Sequence, residues 1–216
     1  MSYILFKGDK TQEFLQGQLT CDVTQVSSHH PILGAHCNLK GRVLFNFRLF
    51  LVNAVYCMQL PASMLDLAVT RLQKFAIFSK TELLIDSAIN LPLSINDDVL
   101  AGIPWIFPET SGLFTPHELN LPKLNAVSFN KGCYTGQEIV ARMHYRGKLK
   151  QHLHLIDLQT TKDPKPGAKL FLNDTNEEVG TIVNVVPSAS PAHYKILAVI
   201  KDDDPCWVLG PNLHIN

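Results

Sequence analysis

Between Pro61 and Ala76 the apolar residues Leu65, Ala68, Val69, Leu72, Phe75 and Ala76 recur at steps of three and four. That spacing gives a helix one apolar stripe, and a stripe is stable only when another element covers it. Pro61 suits the start of such a helix, where its missing N–H costs nothing. Strand-like runs lie on both sides. Tyr3 to Phe6 precedes it, and Pro31 to Leu60 reads as a series of strands. Within that series Leu39-Lys40-Gly41-Arg42 is a turn with Gly41 free to take positive φ. Val43 to Phe50 is rich in strand formers, and Asn53 marks the next turn before Val55-Tyr56-Cys57-Met58. Thr81 to Ile85 is a further strand. A second helix is expected after Asp9-Lys10-Thr11-Gln12, with Asp9 as cap and Gln12 at the capping-box position; Phe14, Leu15 and Leu19 give its apolar side. Strands with helices packed on one side of an antiparallel sheet predict an α+β first domain.

Residues 87 to 125 carry weak patterning and five prolines, Pro92, Pro104, Pro108, Pro116 and Pro122, and read as a long irregular crossing. From Gln151 the style changes. His152 to Leu158, Ala168 to Leu172, Val179 to Val186, Ile196 to Ile200 and Trp207 to Ile215 are short strand-like runs. Lys165-Pro166-Gly167, Asn173-Asp174, Pro187-Ser188 and Asp202-Asp203-Asp204-Pro205 separate them as turns. The expected fold is therefore α+β: a ferredoxin-like antiparallel sheet with helices on one face over 1–150, followed by a small C-terminal β-barrel over 151–216.

Charge narrows the function classes. Lysine plus arginine number 19 and aspartate plus glutamate 19, for a net charge of zero. A wholly basic nucleic-acid binder is excluded by that balance. No apolar run approaches the roughly 18 residues of a membrane span. Met1 to Lys7 lacks the secretory pattern, so a cytoplasmic protein is expected. Cys21, Cys37, Cys57, Cys133 and Cys206 are well separated and form no C-x-x-C, which argues against a zinc ribbon or thioredoxin-type site. Cys21, Cys57 and Cys206 read as small buried hydrophobes.

Cys133 stands apart. It lies in Phe129-Asn130-Lys131-Gly132-Cys133-Tyr134-Thr135-Gly136-Gln137-Glu138-Ile139-Val140-Ala141-Arg142, where two glycines bracket Cys133-Tyr134-Thr135. A strand ending near Phe129 and a helical turn opening at Gly136-Gln137-Glu138 would seat one thiol at a tight bend, near a positive helix end. Lys131 is two residues away. Both effects would lower the thiol pKa from its ordinary ~8.5 and make a reactive or metal-binding cysteine. A buried cysteine in a tight turn is the plainer alternative. Residues 123 to 150 hold six basic side chains, Lys123, Lys131, Arg142, Arg146, Lys148 and Lys150, against one acid, Glu138. As a strand, this stretch puts Arg142, His144, Arg146, Lys148 and Lys150 on one face; as a helix, it still aligns Arg142, Arg146 and Lys150. Either way it offers an anion-binding stripe for a carboxylate-tailed cofactor, RNA phosphate or an acidic partner. His152 and His154 share a strand face, but no third ligand is spaced to complete a metal site. His29-His30 reads as a loop. No P-loop, dinucleotide fingerprint or serine nucleophile elbow occurs.

Lys131-Gly132-Cys133-Tyr134-Thr135-Gly136-Gln137-Glu138 is similar to the signature K-G-C-Y-x-G-Q-E of the YgfZ family. These are folate-binding proteins related to the aminomethyltransferase (T-protein) of the glycine cleavage system. Further blocks agree in order. Phe14 to Val23 resembles the family's first-helix block, Ala35 to Arg42 its first hairpin and Leu72 to Lys80 its long helix end. Ala101-Gly102-Ile103-Pro104 and Pro116 to Leu121 resemble the approach to the signature. The resemblance implies a T-protein-like, folate-binding domain over 1–150. It implies tetrahydrofolate or another folate as ligand, iron–sulfur enzymes including tRNA-modifying ones as partners, and a role in iron–sulfur protein assembly or repair and tRNA processing. Cys133 maps on the signature cysteine, with Lys131 tuning it. Tyr134, Gln137, Glu138, Arg142 and Arg146, with Lys148, would serve the cofactor or a partner.

Two departures accompany the resemblance. Ser79-Lys80 reaches Ala101-Gly102 in roughly twenty residues. Most of one lobe of the expected three-lobed ring is thus missing between 80 and 100, and the ring around the folate does not close in the usual way unless a second copy completes it. The transferase relatives also carry an acidic pair near Phe45-Asn46, and Asn46 cannot act as that carboxylate. An accessory factor is therefore favoured over an enzyme. A tetrahydrofolate-dependent aminomethyl transferase and a non-catalytic module that binds RNA or protein stay open as alternatives.

Overall fold

The structure, a computed structural model, describes residues 1–28, 30–86, 89, 94–172, 175–201 and 213–215. Two compact units emerge. Met1–Pro92, Ile106–Pro116 and Leu121–Gly147 form the first; Leu93–Trp105, His117–Asn120 and Lys148–Asn216 form the second. Two segments from within the expected irregular crossing thus fall with the C-terminal stretch. No helix among the described residues is long and apolar enough to cross a membrane.

The first unit is built on β1 (Ser2–Lys7), α1 (Thr11–Gln18), β2 (Ile32–Cys37), β3 (Val43–Val52), β4 (Val55–Leu60), α2 (Leu65–Ala76) and β5 (Glu82–Asp86). The five strands pair antiparallel in the order β2-β3-β4-β1-β5. Asn53 and Ala54 both take positive φ, 49° and 63°, as a two-residue hairpin between β3 and β4 requires. Ile4, Phe6, Leu15, Phe45, Phe47 and Leu72 are fully buried and form much of the core.

Two local expectations are corrected here. α1 begins at Thr11 with Lys10 before it and no side-chain cap, so Asp9 is not the cap. Gln12 instead accepts a hydrogen bond from the Tyr56 hydroxyl at 3.0 Å. Gly8 and Asp9 make the turn into the helix: Gly8 has φ +142°, and a Cβ there would meet the Lys80 carbonyl at 2.5 Å. On α2, Ala68, Leu72 and Ala76 are buried as the stripe predicts, but Phe75 is 45% exposed. The α-helix ends at Ala76, a 3₁₀ turn follows over Ile77–Ser79, and Lys80 takes φ 51°. Phe75 lies at the edge of the stripe that Ala68, Leu72 and Ala76 bury.

Among its described residues the 87–125 stretch contains an α-helix that its prolines obscure, α3 (Ile95–Leu100). The Ser94 hydroxyl accepts from the Asp97 N–H at 3.3 Å and caps it. α4 (Gln137–Arg146) returns in the first unit. The second unit then adds β6 (Gln151–Gln159), β7 (Lys169–Leu172), β8 (Glu178–Pro187), β9 (His193–Lys201) and β10 (Leu213–Ile215). They pair antiparallel in the order β10-β7-β8-β9-β6. Among the described residues no pairing joins β10 to β6, so the sheet is a half-barrel where a closed barrel is expected. Ile156, Leu158, Leu170, Ile182, Ile196 and Ile200 pack its core. A bulge between Ile182 and Asn184 turns the Asn184 amide onto buried Trp105. Asn184 Oδ1 accepts from the Trp105 N–H at 2.8 Å, and its Nδ2 donates to the Trp105 carbonyl at 2.7 Å. The amide thereby imitates a strand partner and satisfies a buried backbone segment. The Asn173-Asp174 and Asp202 to Pro205 turns, Cys206, residues 207–212, Pro92 and His29 lie outside the described residues.

Candidate functional site

The Cys133 loop is set by contacts at its two ends. No strand runs up to Phe129, contrary to expectation; residues 126–128 are pinned instead by Thr20. The Thr20 hydroxyl donates to the Ala126 carbonyl at 2.6 Å and accepts from the Ala35 N–H on β2, while the Thr20 carbonyl accepts from the Ser128 N–H. One residue past Asn130, the Lys131 ammonium donates to the carbonyls of Leu19 at 2.7 Å and Cys21 at 2.8 Å. It lies 5.2 Å from the centre of the Tyr134 ring. Partial burial pulls its pKa down to about 8. Its ammonium thus ties the loop to the segment just past α1, which gives Lys131 an anchoring role.

At the far end of the loop, Gly136 has φ +84° and leads into α4. A Cβ at Gly136 would sit 2.5 Å from the Asn38 carbonyl and 3.2 Å from Cys37 Cβ, so only glycine lets the loop lie against the turn between β2 and β3. Gly132 has nothing within 4 Å of a built Cβ. Of the two bracketing glycines, one is required by geometry.

Cys133 is exposed, whereas Cys21, Cys37 and Cys57 are buried and their thiols are pushed up to about 12 by burial. An open cleft of about 580 Å³ runs beside it, bordered by Gly17, Leu39, Cys133, Tyr134, Gln137 and Glu138. Tyr134 is 7% exposed, and its buried hydroxyl has no hydrogen-bond partner among the described residues. Burial raises its pKa.

The basic stripe forms as a helix, which decides between the two geometries left open by the sequence. Arg142 and Arg146 share a face of α4 one turn apart, and Arg142 pairs with Glu138 at 2.7 Å on the same helix. The helix ends at Arg146, so Lys148 and Lys150 do not continue the row. A feature absent from the sequence reading lies around the end of α4. Phe129 and His144 stack with ring centroids 3.7 Å apart and 14° between planes, and Tyr145 meets His144 edge-on at 4.8 Å. They border a depression of about 730 Å³ whose rim also carries Gln25, Asn125 and Asn130. Aromatic residues interleaved with arginines were the available signal. Asn46 is 2% exposed and accepts from the Ile106 N–H at 2.8 Å, so its side chain serves the fold. Among the described residues no group of three His, Cys, Asp or Glu side chains is placed to hold a metal.

No family model matches the sequence. The chain is 30% identical over 247 residues to the tRNA-modifying protein YgfZ of Pectobacterium atrosepticum, an alignment that covers 82% of this chain and 74% of that one. It is 31% identical over 223 residues to an uncharacterized protein of Haemophilus influenzae, covering 83% and 80%. Both alignments are longer than the 216-residue chain, so these relatives carry inserted residues that it lacks. In fold it is similar to the glycine cleavage system aminomethyltransferase T of Bartonella henselae, with a TM-score of 0.67 at 13% identity over 93% of this chain and 76% of that one. The relatives settle the assignment, and the fold agrees with it: the chain belongs to the family of the tRNA-modifying protein YgfZ.

Proposed function

We propose that this chain is a cytoplasmic, folate-linked accessory factor in tRNA modification. It supports the assembly or repair of iron–sulfur enzymes that modify tRNA, and Cys133 is its working thiol. The observation that carries this reading is the exposure of Cys133 on a cleft while the other described cysteines are buried. A thiolate is both nucleophile and metal ligand, and only an accessible one can reach a client protein. The YgfZ relatives' description as tRNA-modifying proteins supports the tRNA connection.

The residues at the cleft fit a folate. A pterin presents amino and ring N–H donors, for which Glu138 and Gln137 supply acceptors, and the buried Tyr134 hydroxyl beside them lacks a partner. Arg142 and Arg146 on α4 suit the carboxylates of the glutamyl tail. A bound folate would supply one-carbon chemistry; this chain's own residues bind and orient it. The buried, hydrogen-bonded Asn46 offers no carboxylate for aminomethyl transfer, which favours the accessory role over a transferase. We further read β5-β1-β4-β3 as a ferredoxin-like core with β2 added, over a domain of residues 1–150, and the C-terminal sheet over 151–216 as part of a small barrel.

Calorimetric titration with 5-formyltetrahydrofolate is expected to show saturable binding that Glu138→Ala weakens. A strain lacking the protein is expected to regain iron–sulfur enzyme activity with the native chain and not with Cys133→Ser. Full complementation by Cys133→Ser would remove the thiol from the mechanism.

A further inference from the structure

We propose that the aromatic depression at the end of α4 is a stacking platform for an unpaired base of single-stranded RNA, with Arg142 and Arg146 holding the flanking phosphates. The proposal goes beyond the Cys133 reading: it shares Arg142 and Arg146 with the folate site and adds the rings of Phe129, His144 and Tyr145. Three rings, Phe129, His144 and Tyr145, come together there. Tyr145 is 69% exposed, and His144 is exposed as well. A helix steps 100° per residue, so Arg142, Tyr145 and Arg146 fall within an arc of about 100° on α4 and the tyrosine lies between the arginines and His144. Exposed rings next to arginines are the combination by which proteins hold unpaired nucleotides, because every base has a face to stack and every linkage a charge to neutralise.

The rim chemistry points the same way. Gln25, Asn125 and Asn130 are exposed amides that border the depression. Each both donates and accepts, as the edge of a base requires.

The test is fluorescence anisotropy with a 5′-labelled, unstructured RNA of about 12 nucleotides, the order of a single-strand site. Saturable, salt-sensitive binding is expected. Tyr145→Ala should weaken it about tenfold, with Tyr145→Phe retaining it. The double variant Arg142→Gln/Arg146→Gln should lower the slope of log affinity against log salt by about 1.4. A hairpin of equal length should bind more weakly. Circular dichroism of each variant checks that the exposed substitutions leave the fold intact. Absence of binding at about 100 µM protein, the weak limit of non-specific association, overturns the proposal. So does equal binding by Tyr145→Ala or by the hairpin. Displacement of the RNA from the Arg142→Gln/Arg146→Gln variant by 5-formyltetrahydrofolate also overturns it, by assigning the rings to a pterin. RNA binding that persists when folate titration or Cys133→Ser complementation contradicts the proposed function would sink that reading alone.

Discussion

Cys21 and Cys133 are both neighbours of Lys131, one through space and one along the chain, yet they are different chemical objects. Cys21 is 1% exposed, its carbonyl accepts from Lys131, and burial pushes its thiol up to about 12. Cys133, two residues along from Lys131, is exposed on a cleft. The contrast teaches that access to solvent, set by where the chain folds back, separates an accessible thiol from a packed one.

The largest expected effect tests that contrast directly. Iodoacetamide under native conditions should modify Cys133 at least about a thousandfold faster than Cys21, Cys37 or Cys57, because the buried thiols react only through opening of the fold. Mass spectrometry of timed digests reads the four sites separately. Comparable labelling of Cys21 and Cys133 would break the comparison. In guanidinium chloride the rates should converge.

A smaller effect separates the two loop glycines. Gly136→Ala should lower stability by about 1–3 kcal/mol, since alanine disfavours positive φ and its Cβ would press on the Asn38 carbonyl. Gly132→Ala should stay within about 0.5 kcal/mol. Urea midpoints measure both. Lys131→Met comes next, with a loss of about 1 kcal/mol as two carbonyls lose a donor. Faster hydrogen exchange should be confined to the loop. Unchanged exchange there would remove the anchoring role.

The smallest effect is a pH dependence with two opposed parts. Lys131 has a pKa of about 8 in the fold against an ordinary 10.5, so between those values the unfolded chain binds the extra proton and stability rises with pH. Cys21, Cys37 and Cys57 shift from 9.0 to about 12, so from about pH 9 to 12 the unfolded chain loses protons first and stability falls. Three groups oppose one above pH 9, and the urea midpoint should decline there. Cys37→Ala should flatten that decline. A midpoint that climbs steadily through pH 10 would show that the three thiols are not protected.

Much of the architecture was written locally. The turn at Gly41, the hairpin at Asn53, the stripe of Ala68, Leu72 and Ala76, and the strands from Gln151 onward depend on neighbours a few residues apart. α3 is hidden in the sequence although Ser94 and Asp97 form its cap, because the surrounding prolines suggest an irregular path. The Cys133 loop was visible as a motif, but the strand expected before it is absent: Thr20 pins that segment from more than a hundred residues away.

By itself the sequence determined the α+β class, the position of most strands and of α1 and α2, and the loop that bears Cys133. Such features follow from periodicity, turn chemistry and short motifs, whose energies act within a few residues. Tertiary structure alone decided which cysteine faces solvent, that the Lys131 ammonium grips Leu19 and Cys21, that Asn46 supports the backbone at Ile106, and that Phe129 meets His144. Each of those outcomes depends on groups far apart in the chain, and burial and hydrogen bonding acquire their partners only once the chain has closed on itself.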